Sequence, residues 1–506
     1  MTFSFQQLLS GITVEDAQGL STPVSGIHYD SRQIQPGFIF VCIPGYITDG
    51  HAYIGEAVKR GAVALIVSEN VASSRGCPSL GESGLAWARV RDTRLALARA
   101  GANFYGHPSR DLSLFGITGT NGKTTTTHLI SAVLQAKGEP TAAIGTIWNQ
   151  RTTPESLDLQ RMLRECADRG MRAVAMEVSS HGIYLQRVAD CEFDAAVFTN
   201  LTQDHLDFHR DLSEYLAVKM RLFQGLGAGR SKTRPCYAVV NRDDPSAEAI
   251  IGKTGAEVVT YGIQDDADVQ ARDVRLSERG AGFMVAWRGR NIPFRISLPG
   301  KFNVYNSLAA ISVGLSEGME PELVQSAMAG VSGVPGRFQP VDHGQEFAVV
   351  VDYAHTPDGL ENVLRTARAL TSGRVITVFG CGGDRDAGKR PLMGKISGQL
   401  SDVSILTSDN PRSEEPLSII RQIEAGIREL PDVRYEVIPD RREAIGRALQ
   451  CARVGDFVVI AGKGHETYQI IGDRVLEFDD YQVAYQMLGA QEPGVRSQNE
   501  KTGKNN

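Results

Sequence analysis

The sequence predicts an α/β protein built from several domains. Its 506 residues are too many for one ordinary hydrophobic core, and at roughly 150 residues per domain we expect about three. In the last third of the chain, short apolar runs alternate with amphipathic stretches, a pattern typical of βαβ units and a mostly parallel sheet. The 53 glycines suit the tight turns of such folds.

The elements before residue 335 follow from apolar runs bounded by turn signals. In chain order the pattern predicts strands at 37–45 and 62–67, a helix at 94–106, and strands at 113–119, 173–180 and 195–200. After residue 336, strands are predicted at 347–355, 374–382, 403–411 and 456–466, with helices at 359–370, 394–400, 417–430 and 442–452. The predicted domains are therefore residues 1–90, 91–335 and 336–490, followed by a disordered polar tail at 491–506.

Composition and charge argue against several classes of protein. The net charge of −6 comes without any block of Lys and Arg, so we expect no nucleic-acid polymer as a partner. No apolar run reaches about 18 residues and no basic leader is present, so we expect neither membrane insertion nor secretion. The seven cysteines are scattered without a CxxC pair, as is typical of a reducing compartment. We therefore expect a cytoplasmic protein.

A phosphate-binding loop is predicted where GITGTNGKTTTT follows a strand and opens a helix. Its residues are Gly119, Thr120, Asn121, Gly122, Lys123, Thr124 and Thr125. Lys123 would reach the β and γ phosphates of ATP, and Thr124 would hold Mg²⁺. Ile117 stands at the first glycine position of the general pattern, and a glycine-rich turn with a solvated lysine is the alternative.

Two further side chains are candidate metal ligands. Glu177 and His205 each come at or after the end of an apolar strand, downstream of the loop. A carboxylate and an imidazole there could ligate or position the cation that phosphoryl transfer requires. The alternative is a solvated or core side chain at each position.

Many ordered strings in this sequence resemble the Mur ligases over nearly the whole chain. They are YDSRQIQPGFIFVCIPG, GITGTNGKTT, TTPESLDLQ, MEVSSHGI, TNLTQDHLDFH, EYLAVKMRLF, LPGKFNVYNSLAA, VPGRFQ, VDYAHTPDGLENVL, GCGGDRDAGKRPLMG, SDNPRSEEP and AGKGHETYQ. The resemblance implies an N-terminal domain for a uridine nucleotide, a central P-loop ATPase and a C-terminal Rossmann-like domain for an amino acid. It implies a monomeric ligase of cell-wall peptidoglycan synthesis, with ATP, UDP-MurNAc-L-Ala-D-Glu and meso-2,6-diaminopimelate as substrates.

The resemblance also assigns residues to the nucleotides. It implies a uridine-precursor site at Ser31, Thr152, Thr153, Ser179 and Arg187, and ATP contacts at Asn303, Asn306, Arg337 and Asp352. Lys219 resembles the family lysine that carries a carbamate, which would turn a cation into a carboxylate able to ligate Mg²⁺ beside Glu177 and His205. A solvated lysine on an amphipathic helix is the alternative.

The amino acid site is expected in the string SDNPR. Meso-diaminopimelate differs from lysine by a carboxylate beside the distal amine, which Arg412 could grip with its planar fork. The resemblance places Asp409, Asn410, Pro411 and Arg412 in this site, together with Arg385, Gly462 and Glu466. Glu466 would accept the distal ammonium, while His205 and His355 are candidate general bases. A ligase for lysine or another amino acid, and a P-loop ATPase that forms no bond, are the rival functions.

Overall fold

The computed structural model describes residues 2–45, 48–68, 85–149, 151–202 and 208–490. His205 and the tail at 491–506 lie outside the described residues. The chain forms two compact units. The first unit comprises Met1–Ala271, Ala286–Arg290 and Tyr305–Ala327, and the second comprises Arg272–Val285, Asn291–Val304 and Met328–Asn506.

The N-terminal part of the first unit is built on a five-stranded sheet in the order β2-β7-β6-β5-β4. Its elements are β1 (Phe3–Ser4), α1 (Phe5–Leu8), β2 (Asp16–Gln18), β3 (Pro23–Val24), β4 (Gly26–His28), β5 (Phe38–Val41), α2 (Ile54–Lys59), β6 (Ala64–Val67), β7 (Ala86–Arg89) and α3 (Thr93–Tyr105). Strands β4 to β7 run parallel, and β2 pairs antiparallel with β7. Asp92 caps the start of α3 and Gly106, in the left-handed conformation, ends it.

A nine-stranded sheet follows, in the order β16-β15-β14-β13-β12-β11-β8-β10-β9. Its strands and the helices along this stretch are β8 (Ser113–Thr118), α4 (Lys123–Ala136), β9 (Thr141–Ile144), α5 (Ser156–Asp168), β10 (Ala173–Glu177), α6 (Ser180–Tyr184), β11 (Ala195–Phe198), α7 (Leu212–Gln224), β12 (Tyr237–Asn241), α8 (Ala247–Ile251), β13 (Glu257–Gly262), β14 (Val269–Ser277), β15 (Gly280–Trp287), β16 (Arg290–Ile296), α9 (Lys301–Ser316) and α10 (Pro321–Ala329). The pairs from β9 through β14 are parallel. The carboxyl ends of β8, β10 and β11 therefore meet at one edge.

The last part of the chain forms a six-stranded sheet in the order β17-β18-β22-β19-β20-β21. Its elements are β17 (Gln339–Pro340), β18 (Ala348–Asp352), α11 (Pro357–Leu370), β19 (Val375–Phe379), α12 (Lys389–Leu400), β20 (Val403–Leu406), α13 (Pro416–Ile427), β21 (Tyr435–Val437), α14 (Arg441–Cys451), β22 (Phe457–Ala461), β23 (Tyr468–Ile471), β24 (Arg474–Glu477) and α15 (Asp480–Ala490). Strands β18 to β22 are parallel, whereas β17 and the β23–β24 ribbon pair antiparallel.

The α/β fold class with mostly parallel sheets is confirmed. The strands at 113–119, 173–180, 195–200 and 456–466 form with their ends shifted by a few residues, because the polar residues after each strand leave the ladder. Strands β14, β15 and β16 and the ribbon β23–β24 were not predicted. Strands β14 and β24 expose most of their residues and give no apolar run to detect. Strand β15 has no exposed residue and carries the apolar run FMVAW, and β16 alternates exposed and buried positions, so both offered a usable signal.

Helices across the described residues are too short or too polar to cross a membrane.

Candidate active site

The phosphate-binding loop joins β8 to α4, as predicted. Helix α4 begins at Lys123, and Gly122 occupies its N-cap position. The Lys123 Nζ donates hydrogen bonds to the carbonyl oxygens of Gly119 (3.0 Å) and Thr120 (2.8 Å). The backbone N–H groups that open α4 lack intrahelical partners, which is the condition for an anion site at a helix N-terminus.

Two glycines of this loop are required by their surroundings. Gly119 has φ 152° and Gly122 has φ 84°, both outside the range that other residues adopt readily. A Cβ atom on Gly119 would meet the Thr199 hydroxyl, and one on Gly122 would meet the side-chain oxygen of Asn306. That Asn306 oxygen also accepts from Thr126 Oγ1 at 3.3 Å. The structure therefore places Asn306, predicted to contact ATP, against the loop.

The far side of the loop is held by residues that follow β11. The Thr199 hydroxyl donates to the Asn121 carbonyl oxygen (2.7 Å), and Asn200 Nδ2 donates to the same oxygen (3.0 Å). In return the Asn121 backbone N–H donates to Asn200 Oδ1 (2.9 Å). These hydrogen bonds hold the loop in one conformation, and a loop held in place by its own protein loses less entropy on binding a ligand.

Glu177 joins the loop to the next segment of the site. It is the last residue of β10 and is only 1% exposed. Its Oε2 accepts from Thr124 Oγ1 (3.0 Å) and Thr146 Oγ1 (3.3 Å), and its Oε1 accepts from the Thr146 backbone N–H (2.7 Å). Thr152 Oγ1 lies 3.1 Å from Thr146 Oγ1. Two predicted metal ligands, Thr124 and Glu177, are therefore in direct contact.

Lys219 lies beside the same loop. It is on α7, 1% exposed, and its Nζ donates to the Gly119 carbonyl oxygen at 2.9 Å. Its Nζ also lies 4.4 Å from the centre of the Tyr215 ring. Burial excludes the alternative of a solvated lysine. Because Lys123 donates to the same carbonyl, that oxygen is shared by two ammonium groups.

The predicted precursor residues of the central stretch cluster next to Glu177. Thr153 Oγ1 donates to the Glu177 carbonyl oxygen (3.0 Å) and lies 3.0 Å from Ser179 Oγ. Arg187 Nη1 donates to the Thr153 carbonyl oxygen (3.1 Å), and its Nε lies 3.4 Å from the buried carboxylate of Glu155. Glu155 was not predicted, and it holds Arg187 in place through this ion pair.

Ser31, the predicted precursor residue of the N-terminal sheet, lies in a short 3-10 turn at Ser31–Gln33. It is 5% exposed, and its hydroxyl donates to Glu56 Oε2 at 2.9 Å. The neighbouring Tyr29 hydroxyl donates to Asp158 Oδ2 at 2.6 Å, which ties this turn to α5.

Three predicted ATP contacts lie in the second unit. Asn303 is 1% exposed and donates through Nδ2 to the carbonyl oxygen of the proline four residues earlier, at 2.8 Å. Asp352 ends β18 and accepts from the backbone N–H groups of Phe338 (2.6 Å) and Ala354 (2.8 Å). Burial raises the pKa of the Asp352 carboxyl, against the opposing effect of the Arg337 charge.

The segment at 409–412 follows β20 and is held by several backbone contacts. Arg412 has φ 52°, a conformation that costs a non-glycine residue about 1 kcal/mol or more. Its backbone N–H donates to the Ile470 carbonyl oxygen (3.1 Å), and its own carbonyl accepts from the Gly472 N–H (2.7 Å). Its Nη1 donates to the Gly383 carbonyl oxygen at 2.8 Å. The guanidinium is therefore tied to the loop that follows β19.

The loop after β22 meets this segment directly. Asn410 Nδ2 donates to Glu466 Oε2 at 2.8 Å. Lys463, with 0% side-chain exposure, donates to Asn410 Oδ1 (3.2 Å) and Glu466 Oε2 (3.3 Å). A Cβ on Gly462, which has φ 117°, would lie 2.6 Å from Asp409 Oδ2. Four of the residues predicted for the amino acid, Asp409, Asn410, Gly462 and Glu466, are thus brought together.

The loop after β19 is fixed by an ion pair that was not predicted. Arg390, 1% exposed, binds both carboxylate oxygens of Glu414 at 2.8 Å and donates to the Gly382 carbonyl oxygen at 3.2 Å. These bonds and the Asp384 backbone N–H hold the pKa of Glu414 at about 2, below its usual range. Arg385, on this loop, is exposed and donates to the Asp384 carbonyl oxygen at 3.0 Å.

Sequence reasoning missed Thr146, Glu155, Lys463, Arg390 and Glu414. Lys463 had a usable signal, since it stands between two glycines directly after a buried apolar strand. The others occupy no recognisable spacing, and only the folded chain shows that Glu155 and Arg390 are buried and that Thr146 and Glu414 hydrogen-bond to the residues around them.

The residues present fit the Mg²⁺ that ATP chemistry uses. The Thr124 hydroxyl and the Glu177 carboxylate are hard oxygen donors of the kind Mg²⁺ prefers. Within the described ranges no three His, Cys, Asp or Glu side chains gather into a metal-binding group. A carbamate on Lys219 would supply a further carboxylate next to the loop.

Three models of one family match consecutive stretches of the chain. They are described as "Mur ligase family, catalytic domain" over residues 23–105, "Mur ligase middle domain" over 117–314, and "Mur ligase, glutamate ligase domain" over 336–464.

Solved structures agree with this match. A structure of UDP-N-acetylmuramoyl-L-alanyl-D-glutamate--2,6-diaminopimelate ligase is 34% identical, with a TM-score of 0.67 over 97% of this chain and 99% of that one. MurF from Acinetobacter baumannii, 20% identical, has a TM-score of 0.61 over 91% of this chain and 95% of that one, and shows the fold alone.

Sequence relatives are closer. The UDP-N-acetylmuramoyl-L-alanyl-D-glutamate--2,6-diaminopimelate ligase of Syntrophomonas wolfei is 47% identical, over 95% of this chain and 98% of that protein. The protein of the same name from Geobacillus thermodenitrificans is 45% identical, over 92% and 95%. The fold and the loop at its centre define a P-loop nucleotide-binding α/β protein. The chain belongs to the Mur ligase family, which confirms the prediction from its motifs.

Proposed function

We propose that this chain is an ATP-dependent ligase of peptidoglycan precursor synthesis. It adds meso-2,6-diaminopimelate to the γ-carboxylate of the D-glutamyl residue of UDP-N-acetylmuramoyl-L-alanyl-D-glutamate. Relatives that carry this ligase's name match nearly the whole chain, which supports the proposal. The protein acts as a monomer in the cytoplasm, uses Mg²⁺ with ATP, and binds neither nucleic-acid polymers nor membranes.

The nucleotide half of the reaction uses the phosphate loop. Lys123 and the loop N–H groups hold the β and γ phosphates, and Asn303, Asn306, Arg337 and Asp352 contact the rest of ATP. Thr124, Glu177, His205 and carbamylated Lys219 hold Mg²⁺, which when bound offsets the negative charge spread over the phosphates. Ser31, Thr152, Thr153, Ser179 and Arg187 hold the precursor beside Glu177.

The chemistry proceeds in two steps. A carboxylate oxygen of the D-glutamyl side chain attacks the γ-phosphorus, the bond to the β-phosphate oxygen breaks, and ADP leaves an acyl phosphate behind. The neutral amine of diaminopimelate then attacks the acyl carbon, loses a proton, and the tetrahedral intermediate expels inorganic phosphate. Positioning the two reactants supplies much of the rate, because it turns an encounter in solution into a reaction between neighbours.

One observation carries the choice of diaminopimelate. The loops after β19, β20 and β22 present a guanidinium, Arg412, and a carboxylate, Glu466, from one hydrogen-bonded cluster. Diaminopimelate carries a carboxylate and an ammonium on its distal carbon, so it matches both charges, whereas lysine matches one. A charge-assisted hydrogen bond contributes about 1.5–3 kcal/mol, or about tenfold or more in discrimination.

The test is a panel of amino acids offered with ATP, Mg²⁺ and UDP-MurNAc-L-Ala-D-Glu, scored by phosphate release and product mass. We expect a tripeptide product with diaminopimelate and little with lysine. Arg412→Ala should lower kcat/KM for diaminopimelate about tenfold or more and leave its KM for ATP unchanged. Arg474→Ala, on the exposed strand β24, is the control and should behave as wild type. Equal use of lysine by the wild-type enzyme would disprove the proposed substrate.

The carbamate is tested separately at Lys219. Lys219→Ala should lose most activity, and added acetate or bicarbonate should restore part of it by placing a small anion where the carbamate stood. Tyr215→Phe, which keeps the ring under the lysine, is the control and should need no rescue. Mass spectrometry of the wild-type chain prepared in bicarbonate should show the added carbon dioxide. Failure of both readouts would remove Lys219 from the metal site.

A further inference from the structure

Arg441 and Asp480 form an ion pair in the second unit that the proposed reaction does not use. Both side chains are 0% exposed. Arg441 is the first residue of α14, and Asp480 is the first residue of α15. The guanidinium binds the carboxylate with two bonds, from Nε to Oδ1 at 2.8 Å and from Nη2 to Oδ2 at 2.6 Å.

The same guanidinium also donates hydrogen bonds to two backbone carbonyl oxygens at the ends of strands. Its Nη2 donates to the Ala461 carbonyl oxygen at 2.9 Å, and its Nη1 donates to the Ser408 carbonyl oxygen at 3.3 Å. Ala461 is the last residue of β22, and Ser408 follows β20. Strand β19 lies between these two strands in the sheet, so no ladder hydrogen bond joins β20 to β22 directly.

The two carbonyls stand immediately before residues assigned to the amino acid. Ser408 precedes Asp409, and Ala461 precedes Gly462. Beyond these points the loops touch, since a Cβ on Gly462 would crowd Asp409 Oδ2 and Gln469 Nε2 donates to the Asp409 carbonyl oxygen at 2.8 Å. Arg441 therefore fixes the spacing of two loops at their roots, below the side chains that would face substrate.

Stability alone does not account for this pair. Removing two charges from water costs several kcal/mol per ion, and apolar residues of similar volume often serve as well or better. A lysine could pair with Asp480 but has no planar fork to reach both carbonyls at once. Of the five N–H groups of the guanidinium, two donate to Asp480 and two donate to the loop carbonyls.

We propose that Arg441, held by Asp480, is a positioning residue that sets the distance between the 408–412 and 461–466 segments and thereby the preference for an amino acid bearing a carboxylate beside its distal ammonium. This inference rests on the proposed function. Arg441 does not touch substrate in this account and acts only through the two carbonyl oxygens.

The main test replaces both charges together, because one orphaned buried charge would unfold the unit. In R441M/D480L we expect the KM for diaminopimelate to rise at least about tenfold, as loss of hydrogen bonds from a charged group implies. The preference for diaminopimelate over lysine should fall by a similar factor. The KM values for ATP and for UDP-MurNAc-L-Ala-D-Glu should stay within about twofold of wild type.

A second variant covers the case in which the double variant does not fold. Arg441→Lys keeps a positive charge beside Asp480 but loses the fork, so it should fold and still lose preference for diaminopimelate. The matched control is R374M/D456N, which removes the Arg374–Asp456 pair. This pair lies at the amino ends of β19 and β22, whereas Arg441 contacts residues at the carboxyl ends of the strands. Asn replaces Asp456 because that side chain also accepts backbone N–H groups. The control should lower stability without changing the preference.

The outcomes separate this inference from the proposed function. Wild-type enzyme that uses lysine as well as diaminopimelate would overturn the proposed function. Selective wild-type enzyme combined with an unchanged preference in folded R441M/D480L or Arg441→Lys would overturn only the role of Arg441. An equal rise in the KM of all three substrates, or failure of both variants to fold, would likewise reduce Arg441 to a purely structural residue.

Discussion

The conformation of the phosphate loop requires that residue 122 be a glycine, which has no side chain to crowd Asn306. Gly122→Ala should abolish most ATP-dependent product formation, because the new methyl group would displace Asn306 from the loop. Gly138 offers a matched control at the other end of α4, with φ 85° against 84° and nothing within 4 Å of its Cβ position. Both alanines should lower the free energy of unfolding by roughly 1–2 kcal/mol through backbone strain.

Activity assays and urea unfolding of the two variants together decide this point. If Gly138→Ala lost as much activity as Gly122→Ala, strain in α4 and not the contact with Asn306 would be responsible.

Glu414 should make the stability of the enzyme depend on pH in a defined window. Its pKa is about 2 in the folded chain against 4.5 ordinarily, so its stabilising contribution is fully present above pH 4.5 and is lost as the pH falls towards 2. The gap in urea midpoint between wild type and Glu414→Gln should therefore narrow from pH 5.5 to pH 3.

A gap that stayed constant over this range would contradict the role of the ionised carboxylate. Glu429→Gln is the control, since Glu429 pairs with Lys395 on the exposed surface and such pairs contribute little.

Among single residues, the sequence predicts those whose side-chain type and motif indicate a chemical role. Lys123 and Thr124 follow from the glycine loop, whereas Arg412 is implied by the resemblance to the Mur ligases and the charge of their substrate. The supporting residues do not. Arg390 and Arg441 look like ordinary surface arginines in the sequence, and only their burial against backbone carbonyls reveals what they hold.

The β23–β24 ribbon lies next to the proposed amino acid site and exposes most of its residues to solvent. Val475 is 68% exposed and Leu476 46%, and the ribbon contacts Arg412 through backbone hydrogen bonds with the Ile470 carbonyl and the Gly472 N–H. A two-stranded ribbon has little stability of its own. Its amides should therefore exchange with solvent through local opening, far faster than those of the buried strand β22.

Hydrogen exchange followed by mass spectrometry tests this, and diaminopimelate should slow exchange at Arg412 and Gly472. Exchange of the ribbon as slow as that of β22 would show that the two open together.

Strands and helices with a clear pattern of apolar residues could be predicted from the sequence. The fully buried strands β8, β10, β11 and β22 carry continuous apolar runs, and α11 and α13 carry a clear apolar face. Strand β14 is buried only at Val269 and Ala271 and exposes most of its other residues, three of them charged, so its pairing and not its composition makes it a strand. Strand β16 alternates exposed and buried positions, and that period of two was a usable signal.

Each of the two compact units has hydrophobic clusters of its own. The clusters that contain Phe5, Phe40 and Phe198 belong to the first unit, and the clusters that contain Phe379 and Ile460 belong to the second. We expect two calorimetric transitions, since separate cores can unfold separately. The precursor should stabilise the first unit and diaminopimelate the second. At a ligand concentration a hundred times Kd, the free energy of unfolding of the unit that binds should rise by about 2.7 kcal/mol, and its transition temperature should rise with it.

Arg412→Ala should remove the shift caused by diaminopimelate and keep the shift caused by the precursor. One transition that rises with either ligand would show that the units unfold as one.

For the whole molecule, length predicts about three domains, and three family models match in succession. The predicted boundaries at residues 90 and 335 stay predictions. Sequence pattern could not foresee that contacts divide the chain into two units with several crossings between 271 and 328, because that division depends on packing between distant segments.

The strand order of the last sheet bears on how the protein is made. Strand β22 lies between β18 and β19, although it is synthesised after β21. While the ribosome is still adding the intervening helices, β18 and β19 each present an unpaired edge to solvent, and such edges can pair with other nascent chains. The sheet can close only when Phe457–Ala461 emerges. Truncation before that point removes the centre of the sheet and not merely its rim.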